Sequence, residues 1–343
     1  MDKYIEQDCR EYIDRIDVSP LKGKTVLITG ANGLIGTYLI YMLHLSNVEK
    51  AAGINIEAVS RSTPNKAISD VFENRYRFHT VDLNLPGSLE TLQKADYIIH
   101  GATYAQPGKF LRNYLDTIHL NTLVTERLLQ KARKEDAGFL FMSSSEVYGE
   151  PDISNIPTPE EYPGLCSPVN IRAIYSEAKR MGETLCFAYK NYENVNTKIA
   201  RISMTYGPGV SANDERVLAQ FIRQALSKRE ITMLDEGSKV RTFCYTADCA
   251  LMLLNIILYG TDLVYNVGGK ESITIRRLAE EICAITESKL SVEKSEQTST
   301  EKVKVSPQHV ELNIEKICSE FGLNNFKPMS EGLRRTIEWN SKL

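Results

Sequence analysis

The sequence lacks the features of a secreted or membrane-bound protein. Its 343 residues contain seven cysteines, an odd number with no Cys-X-X-Cys pair, and no signal peptide precedes them. The longest apolar run, around residues 250–259, is too short to cross a bilayer and is interrupted by Asn255. We therefore expect reduced thiols, no membrane association and a soluble, cytoplasmic protein.

The sequence also lacks a strong excess of charge of either sign. It has 41 Lys and Arg against 44 Asp and Glu, which gives a formal net charge of −3. Such a chain has no overall field that would attract nucleic acid or an anionic membrane surface. Neither is an expected partner, and no metal site is expected.

Short apolar runs, typical of strands buried on both faces, recur along the first 200 or so residues. Segments with helical periodicity separate them. The runs lie at 25–29, 56–60, 76–81, 97–100, 138–143 and 198–202. This alternation predicts an α/β fold, namely a Rossmann-type doubly wound parallel sheet with helices on both faces.

The pattern loosens after residue 205, which predicts a smaller C-terminal α/β lobe that binds substrate. Its expected elements are helices near 216–228, 275–286 and 314–321, strands near 231–234 and 241–245, and a polar loop or short strand at 291–302. The expected division is an N-terminal helical extension at 1–20, a nucleotide-binding domain at 21–205 with 243–268 returning to it, and the lobe at 206–242 and 269–343.

Three glycines follow the first predicted strand. Gly30, Gly33 and Gly36, in the segment GANGLIG, stand between that strand and an amphipathic helix. Glycine permits a tight turn there and lets backbone N–H groups and the positive helix end approach a pyrophosphate. This placement predicts a dinucleotide-binding loop.

A tyrosine and a lysine one helical turn apart form the predicted chemical centre. Tyr175 and Lys179 make a YxxxK pair on a predicted helix, and Ser144 ends a predicted strand 31 residues upstream of Tyr175. An ammonium near a phenol stabilises phenolate, so the tyrosine can serve as a base near neutral pH. Ser144 would hydrogen-bond the same substrate oxygen.

The segments around these residues resemble the extended branch of the short-chain dehydrogenase/reductase family. TVLITGANGLIG has that family's three-residue glycine spacing, and SSSEVYG and YxxxK follow in the same order. The resemblance implies an NAD(P)-dependent enzyme that modifies a nucleotide sugar. The cofactor-binding residues that it implies are Gly30, Asn32, Gly33, Leu34, Ile35, Gly36, Ser60, Arg61, Asp82, Leu83, Ala102, Thr103, Tyr175 and Lys179.

Some of these positions allow a second interpretation. Asp82 resembles the acid that contacts adenine, but it can equally cap its own turn; Asn121, which resembles a helix asparagine of the family, can equally cap a helix. Arg61 stands near the place where NAD-specific relatives carry an acid. With the neighbouring serines it could neutralise a 2′-phosphate, or it could stack on adenine while NAD binds. The resemblance as a whole favours NAD.

The segment SSSEVYG narrows the expected reaction. In simple 4-epimerases the position of Glu146 is typically apolar, so a carboxylate there indicates chemistry at C5 or C6 as well as at C4. Two-acid 4,6-dehydratases carry Asp where this chain has Ser145. Five segments are similar, in order and spacing, to UDP-glucuronate decarboxylases: SSSEVYGEP, PVNIRAIYSEAKR, ARISMTYGP, NDERVLAQFIRQAL and EGSKVRTFCYTAD. The match implies that Glu146 is catalytic with Ser144, Tyr175 and Lys179.

The same match implies substrate contacts for Arg172, Arg216 and Arg241, although each could instead form a surface ion pair. Two departures concern the substrate: Met204 replaces the family's usual Asn, and Leu234 stands where an aromatic residue often lies near the base. The nucleobase and sugar therefore stay open. The alternatives are a 4,6-dehydratase, a C4 epimerase or ketoreductase, a cofactor-binding regulator without turnover, and a structural interaction module.

Relatives of this kind pair two helices from each subunit into a four-helix bundle. Apolar positions at suitable spacing lie at 122–131 and 178–189, although they would also serve an ordinary stripe that faces the sheet. A homodimer is therefore expected.

Overall fold

The computed structural model describes residues 1–73, 75–211, 213–293 and 307–342. Its strands, in chain order, are β1 (Thr25–Thr29), β2 (Asn55–Ser60), β3 (Arg77–Thr80), β4 (Tyr97–His100), β5 (Gly138–Ser144), β6 (Thr197–Ile202), β7 (Met204–Tyr206), β8 (Glu230–Met233), β9 (Val240–Tyr245), β10 (Val264–Val267), β11 (Ser272–Thr274), β12 (Lys289–Val292) and β13 (His309–Val310).

The helices bear out the predicted alternation over most of the chain. They are α1 (Lys3–Tyr12), α2 (Leu34–Lys50), α3 (Ser69–Phe72), α4 (Pro107–Arg112), α5 (Tyr114–Asn121), α6 (Leu123–Glu135), α7 (Ala173–Tyr192), α8 (Val217–Lys228), α9 (Thr246–Tyr259), α10 (Ile275–Thr286), α11 (Glu315–Phe321) and α12 (Met329–Asn340).

Seven strands form one parallel sheet in the order β10-β6-β5-β4-β1-β2-β3. The strand order reverses between β1 and β4, which is the point where such sheets bind ligands. β10 comes from the C-terminal part of the chain and pairs with β6 at the edge. The predicted Rossmann-type sheet is confirmed.

Both faces of this sheet are covered, as the uninterrupted apolar strands require. Along β1, Val26 and Ile28 belong to a core shared with α1, α2 and α9, whereas Leu27 points to the opposite core, which α6 and α7 cover. The alternation follows from the two-residue period of a strand. All three side chains are buried.

One interval departs from the predicted alternation. Residues 81–96, all of which the structure describes, contain turns and no helix. Pro86 and Gly87 interrupt the segment, and Gly87 has a φ of +72°, which a helix does not accept. Helical periodicity in this interval was therefore misleading.

The C-terminal part forms two small sheets beside the large one. β9 pairs with β7, β11 and β13, and β8 pairs with β12. The first two residues of the polar stretch expected at 291–302 are the last two of β12. Residues 294–302 of that stretch lie outside the described residues. Helix α12 was not expected from the sequence.

The N-terminal helix α1 is part of the core. Ile5, Cys9 and Tyr12 are buried, and the helix packs against α2 and α9. The buried carboxylate of Asp8 accepts hydrogen bonds from Tyr38 (2.9 Å) and Tyr245 (2.5 Å). It also forms an ion pair with Arg335 of α12, at 2.6 Å. Asp8 thereby joins α1 to three distant parts of the chain.

The helices were also compared with the length and hydropathy of membrane-spanning helices. Within the described ranges, the structure contains no helix with the length and apolar character needed to traverse a bilayer.

Candidate active site

A cavity of about 1790 Å³ opens at the carboxyl ends of the parallel strands. It brings together most of the predicted site residues: Gly30, Asn32, Gly33, Leu34, Ile35, Gly36, Arg61, Thr103, Ser144, Glu146, Arg172, Tyr175, Arg216 and Arg241. Five other residues predicted to bind the cofactor do not line the cavity: Ser60, Asp82, Leu83, Ala102 and Lys179. The two parts of the fold meet at this cavity, since β8, β9 and α8 also line it.

The glycine loop has a shape that only glycine allows. Gly30 has a φ of +75°, and a Cβ there would stand 2.7 Å from the carbonyl carbon of Gly101. A Cβ on Gly36 would stand 2.6 Å from the Gly30 oxygen. Helix α2 starts at this loop, and no side chain caps it. The first-turn N–H groups of the helix are therefore available to an anion in the cavity, so the loop fits a dinucleotide pyrophosphate.

Asn32 ties the glycine loop to the segment that follows β2. Its side-chain nitrogen donates to the Ser62 hydroxyl (2.9 Å) and the Thr63 carbonyl (2.9 Å), and its oxygen accepts from the Asn65 backbone N–H (3.0 Å). Arg61 lies over the Tyr104 ring, 4.6 Å from its centre, and donates to the Tyr104 hydroxyl. The Ser62 and Arg61 side chains thus already have protein partners.

The two ambiguous cofactor positions have clear local roles. The Asp82 carboxylate accepts from the Asn84 backbone N–H at 2.9 Å, which is the capped turn that the sequence allowed. Buried Asn121 donates to the Thr103 hydroxyl at 2.8 Å and to the Thr117 carbonyl at 2.7 Å. Asn121 therefore holds Thr103, which lines the cavity.

Tyr175 and Ser144 face each other in the cavity wall. Burial raises the pKa of Tyr175 above its usual value, and the Glu146 carboxylate adds to the rise. The neighbouring Ser144 hydroxyl opposes the rise, as do the charges of Arg216 and Arg172. The phenol is therefore a weak acid in the protein alone, and ionisation requires added positive charge at the site.

The Tyr175 ring is fixed by a stacking partner that the sequence did not reveal. Phe110 of α4 is parallel to it, with an interplanar angle of 9° and 5.3 Å between ring centres. Phe110 is buried. Helix α4 also brings Gly108 against Glu215, the residue before Arg216. This short helix connects the tyrosine to the neighbourhood of the predicted substrate arginines.

Lys179 is buried beside Tyr175. Its ammonium donates to the Met142 carbonyl and lies 4.5 Å from the centre of the Phe141 ring and 5.9 Å from that of Tyr175. Burial lowers the pKa of Lys179 to about 7. The amine therefore changes its charge near neutral pH.

Glu146 forms an ion pair with Arg172, a residue that the sequence predicted only as a substrate contact. Its two carboxylate oxygens accept from Nε and Nη2 of the Arg172 guanidinium, with an Nε to Oε2 distance of 3.0 Å. The Glu146 backbone N–H donates to the Ser144 hydroxyl oxygen at 3.2 Å. Glu146, Arg172 and Ser144 therefore form one hydrogen-bonded unit in the cavity wall.

The other two predicted arginines differ in their neutralisation. Arg216 is paired with the buried carboxylate of Asp214, at 2.6 Å. Arg241 donates to the backbone carbonyls of Val240, Pro307 and Gln308, and burial lowers its pKa. Its hydrogen-bond partners are neutral carbonyl oxygens, and the Glu146 and Glu150 carboxylates favour its charged form, so Arg241 presents a guanidinium charge to the cavity.

His100, at the strand-order reversal, is a structural residue that sequence reasoning missed. Its Nε2 lies 3.0 Å from the Leu120 carbonyl, and its Nδ1 lies 2.7 Å from the Thr29 hydroxyl. Burial lowers the pKa of His100 to about 3, so the ring is neutral. One signal could have indicated it: a histidine ends the otherwise apolar β4.

The two departures from the expected pattern both line the cavity. Met204 begins β7, and Leu234 follows β8. Leu234 is 65% exposed. Neither presents a hydrogen-bond donor to a ligand.

Comparisons with known proteins agree with this geometry. The model of the NAD dependent epimerase/dehydratase family matches residues 26–268. UDP-glucuronic acid decarboxylase 1 of Danio rerio is 30% identical over 319 residues, covering 93% of this chain and 73% of that protein. UDP-glucuronic acid decarboxylase 5 of Arabidopsis thaliana is 31% identical over 308 residues, covering 90% and 86%.

A solved structure shows the same fold. The dTDP-glucose 4,6-dehydratase of Streptomyces venezuelae, with NAD and TYD bound, has a TM-score of 0.79 at 22% identity over 93% of this chain and 97% of that one. The expected resemblance is confirmed: this chain belongs to the NAD dependent epimerase/dehydratase family, and its relatives include UDP-glucuronic acid decarboxylases.

Proposed function

We propose that the protein decarboxylates a UDP-glucuronate-like nucleotide sugar through transient oxidation at C4, with NAD as its cofactor. The observation that carries the proposal is the unit of Glu146, Arg172 and Ser144 beside Tyr175 in the cavity. A carboxylate at this place suits a reaction that continues beyond C4. The similarity to UDP-glucuronic acid decarboxylases over most of the chain supports the same choice.

The glycine loop and the uncapped start of α2 would hold the dinucleotide. When bound in its oxidised form, NAD would supply a hydride acceptor for C4 and a positive charge to the site. Arg61 and Ser62 are engaged by Tyr104 and Asn32, which leaves the loop after β2 held by its own contacts. We therefore assign NAD in preference to NADP.

Tyr175 is the proposed base. Positive charge at the site lowers the cost of ionising its buried phenol, after which it accepts the proton of the C4 hydroxyl. Ser144 donates a hydrogen bond to the same oxygen as it becomes a ketone. Lys179, with its pKa near 7, can contribute charge at this stage.

A ketone at C4 lies β to the C6 carboxylate, so the substrate loses CO₂ and its electrons pass into an enolate. Glu146, held by Arg172, positions a proton donor for C5. The proposed contacts for the diphosphate or the carboxylate are the side chains of Arg241 and Arg216. The reduced cofactor would supply a hydride to C4, and Tyr175 would return its proton to the C4 oxygen, which restores the starting state of the site.

The deciding experiment incubates the purified protein with NAD and UDP-glucuronate and analyses the products by mass spectrometry. Loss of CO₂ supports the proposal. Loss of water from a nucleotide hexose would instead identify a 4,6-dehydratase, and a change of configuration without mass change would identify a C4 epimerase.

A matched variant tests the role of Glu146. Glu146→Gln keeps the size of the side chain and is expected to retain NAD binding while CO₂ release falls by at least about a hundredfold. Unchanged CO₂ release by this variant would remove Glu146 from the mechanism.

The assembly expected from the sequence remains part of the proposal. Leu123 of α6 and Met181 and Phe187 of α7 are large apolar side chains that are about half exposed. We propose that these side chains belong to an interface, which a second copy would cover by pairing these helices. We propose a homodimer, in the cytoplasm, where the seven free cysteines would stay reduced.

A further inference from the structure

Helix α7 carries a third ionisable residue on the face that bears Tyr175 and Lys179. Glu183 follows Lys179 by four residues, just as Lys179 follows Tyr175. Residues four apart lie one above the other on a helix. The Glu183 side chain is buried, and the proposed reaction does not use it.

The Glu183 carboxylate joins this helix to the end of β5. The Ser143 hydroxyl donates to its Oε1 at 2.5 Å. Ser143 is bonded directly to Ser144, so the carboxylate constrains the strand end that carries the proposed catalytic hydroxyl. Helix α7 is held tightly against its neighbours at this point, because Gly182, the residue before Glu183, packs closely against Phe141 and the Asn121 carbonyl.

Arg201 of β6 balances the Glu183 charge and extends the contact. Its Nη2 lies 2.7 Å from Oε2 and its Nε lies 3.0 Å from Oε1. The same guanidinium donates to the Tyr148 hydroxyl at 3.0 Å, and that hydroxyl donates to Asn266 at 2.7 Å. A continuous buried network therefore runs beneath the turn from Ser144 to Tyr148.

The charge state of Lys179 depends on its surroundings. Burial disfavours the ammonium, whereas Glu183 and then Cys186 favour it. Burial also raises the pKa values of Cys186 and Tyr175 and lowers that of His100, so these three groups are neutral at pH 7. Among the described groups that act on Lys179, Glu183 is thus the source of negative charge.

We propose that Glu183 is a positioning residue for the redox centre: through Ser143 it fixes the strand end that carries Ser144, and its charge keeps the Lys179 amine protonated. This inference deepens the proposed function and rests on the roles given there to Ser144 and Lys179. Its first test uses no substrate, so it can fail or succeed independently of decarboxylation.

The test follows the titration of Lys179 by NMR in protein with ¹³C at the lysine ε-carbons. The signal that disappears in Lys179→Met belongs to Lys179. In Glu183→Gln we expect the midpoint to move to lower pH by about one unit or more, because an opposite charge at close range shifts a pKa by roughly that amount. Ser143→Ala is the matched control: it loses the hydrogen bond but keeps the charge, so the midpoint should stay in place.

Glu183→Gln leaves Arg201 buried without a counter-charge, which can unfold the protein. The double variant Glu183→Gln/Arg201→Gln removes both charges and keeps two side chains that can bond each other. It should also move the midpoint to lower pH, but by less than Glu183→Gln alone, because loss of the Arg201 charge partly offsets loss of the Glu183 charge. A wild-type midpoint in either folded variant would overturn the charge role.

Activity gives a second measurement for the positioning role. Ser143→Ala should lower kcat by about tenfold and leave the KM for NAD unchanged, since only the Ser144 strand end loosens. The alkaline limb of the pH profile should move in Glu183→Gln and stay in place in Ser143→Ala. An unchanged kcat in Ser143→Ala would refute the positioning role.

Discussion

The glycine loop permits an experiment that separates two costs usually measured together. Gly30 and Gly23 have nearly equal φ angles, +75° and +71°. Their surroundings differ: a Cβ on Gly23 would meet nothing within 4 Å, whereas a Cβ on Gly30 would stand 2.7 Å from the Gly101 carbonyl carbon and oxygen. Alanine at either position pays the free-energy cost of a left-handed backbone conformation, but only Gly30→Ala also brings a Cβ into collision with neighbouring backbone atoms.

The expected magnitudes follow from these two terms. Gly23→Ala should lower the free energy of unfolding by about 1–2 kcal/mol, the usual cost of a left-handed alanine. Gly30→Ala should lower it by a further ~1–3 kcal/mol, because the Gly101 backbone at the end of β4 must move to relieve its overlap with the added Cβ. Chemical denaturation of both variants measures the difference.

NAD binding provides the second measurement. Movement of the loop misplaces the N–H groups at the start of α2, so Gly30→Ala should weaken NAD binding by about tenfold or more, or ~1.4 kcal/mol. Gly23→Ala should leave the affinity unchanged, as calorimetric titration can show. Equal stability losses in the two variants, or equal NAD affinities, would refute the argument that Gly30 is required by close packing.

Three further predictions concern other parts of the molecule. Burial raises the pKa of Asp248 to about 6 from an ordinary 3.8, so the folded protein binds the proton more tightly and should lose stability as the pH rises from about 4 to 6; Asp248→Asn should flatten this slope in denaturation curves recorded across that range. Asn32→Ala removes the bonds to Ser62, Thr63 and Asn65 and should weaken NAD binding by about tenfold in a calorimetric titration, with little change in the far-ultraviolet circular dichroism. Phe187→Glu places a charge on the half-exposed apolar patch of α7 and should yield monomers in analytical ultracentrifugation, whereas Tyr192→Glu, at 78% exposure near the end of the same helix, serves as a comparison for the effect of charge alone.

Local patterns predicted the sheet well because its strands are buried on both faces. The run TVLIT predicted β1 at its observed bounds, and the glycine triplet after it predicted the loop at the cavity. Each of these signals lies within a few neighbouring residues. Periodicity failed at 81–96 because Pro86 and Gly87 override it.

Partners distant in sequence could not be predicted in the same way. Glu146 and Arg172 were both singled out, but nothing in their spacing indicated that they bind each other. The expectation for Tyr175 stressed its lysine, whereas in the structure burial and Glu146 dominate its pKa. Phe110 and Glu183 were missed because a stacked ring and a buried ion pair depend on how α4, α7 and β6 pack.

The carboxylate of Asp8 has a consequence for synthesis of the chain. Asp8 is translated 237 residues before its partner Tyr245, and Arg335, on α12, follows later still. A nascent chain that stops before α12 would keep an acid in an apolar setting without its guanidinium, which is strongly unfavourable. Chains that lack α12 should therefore fail to hold α1 against the core.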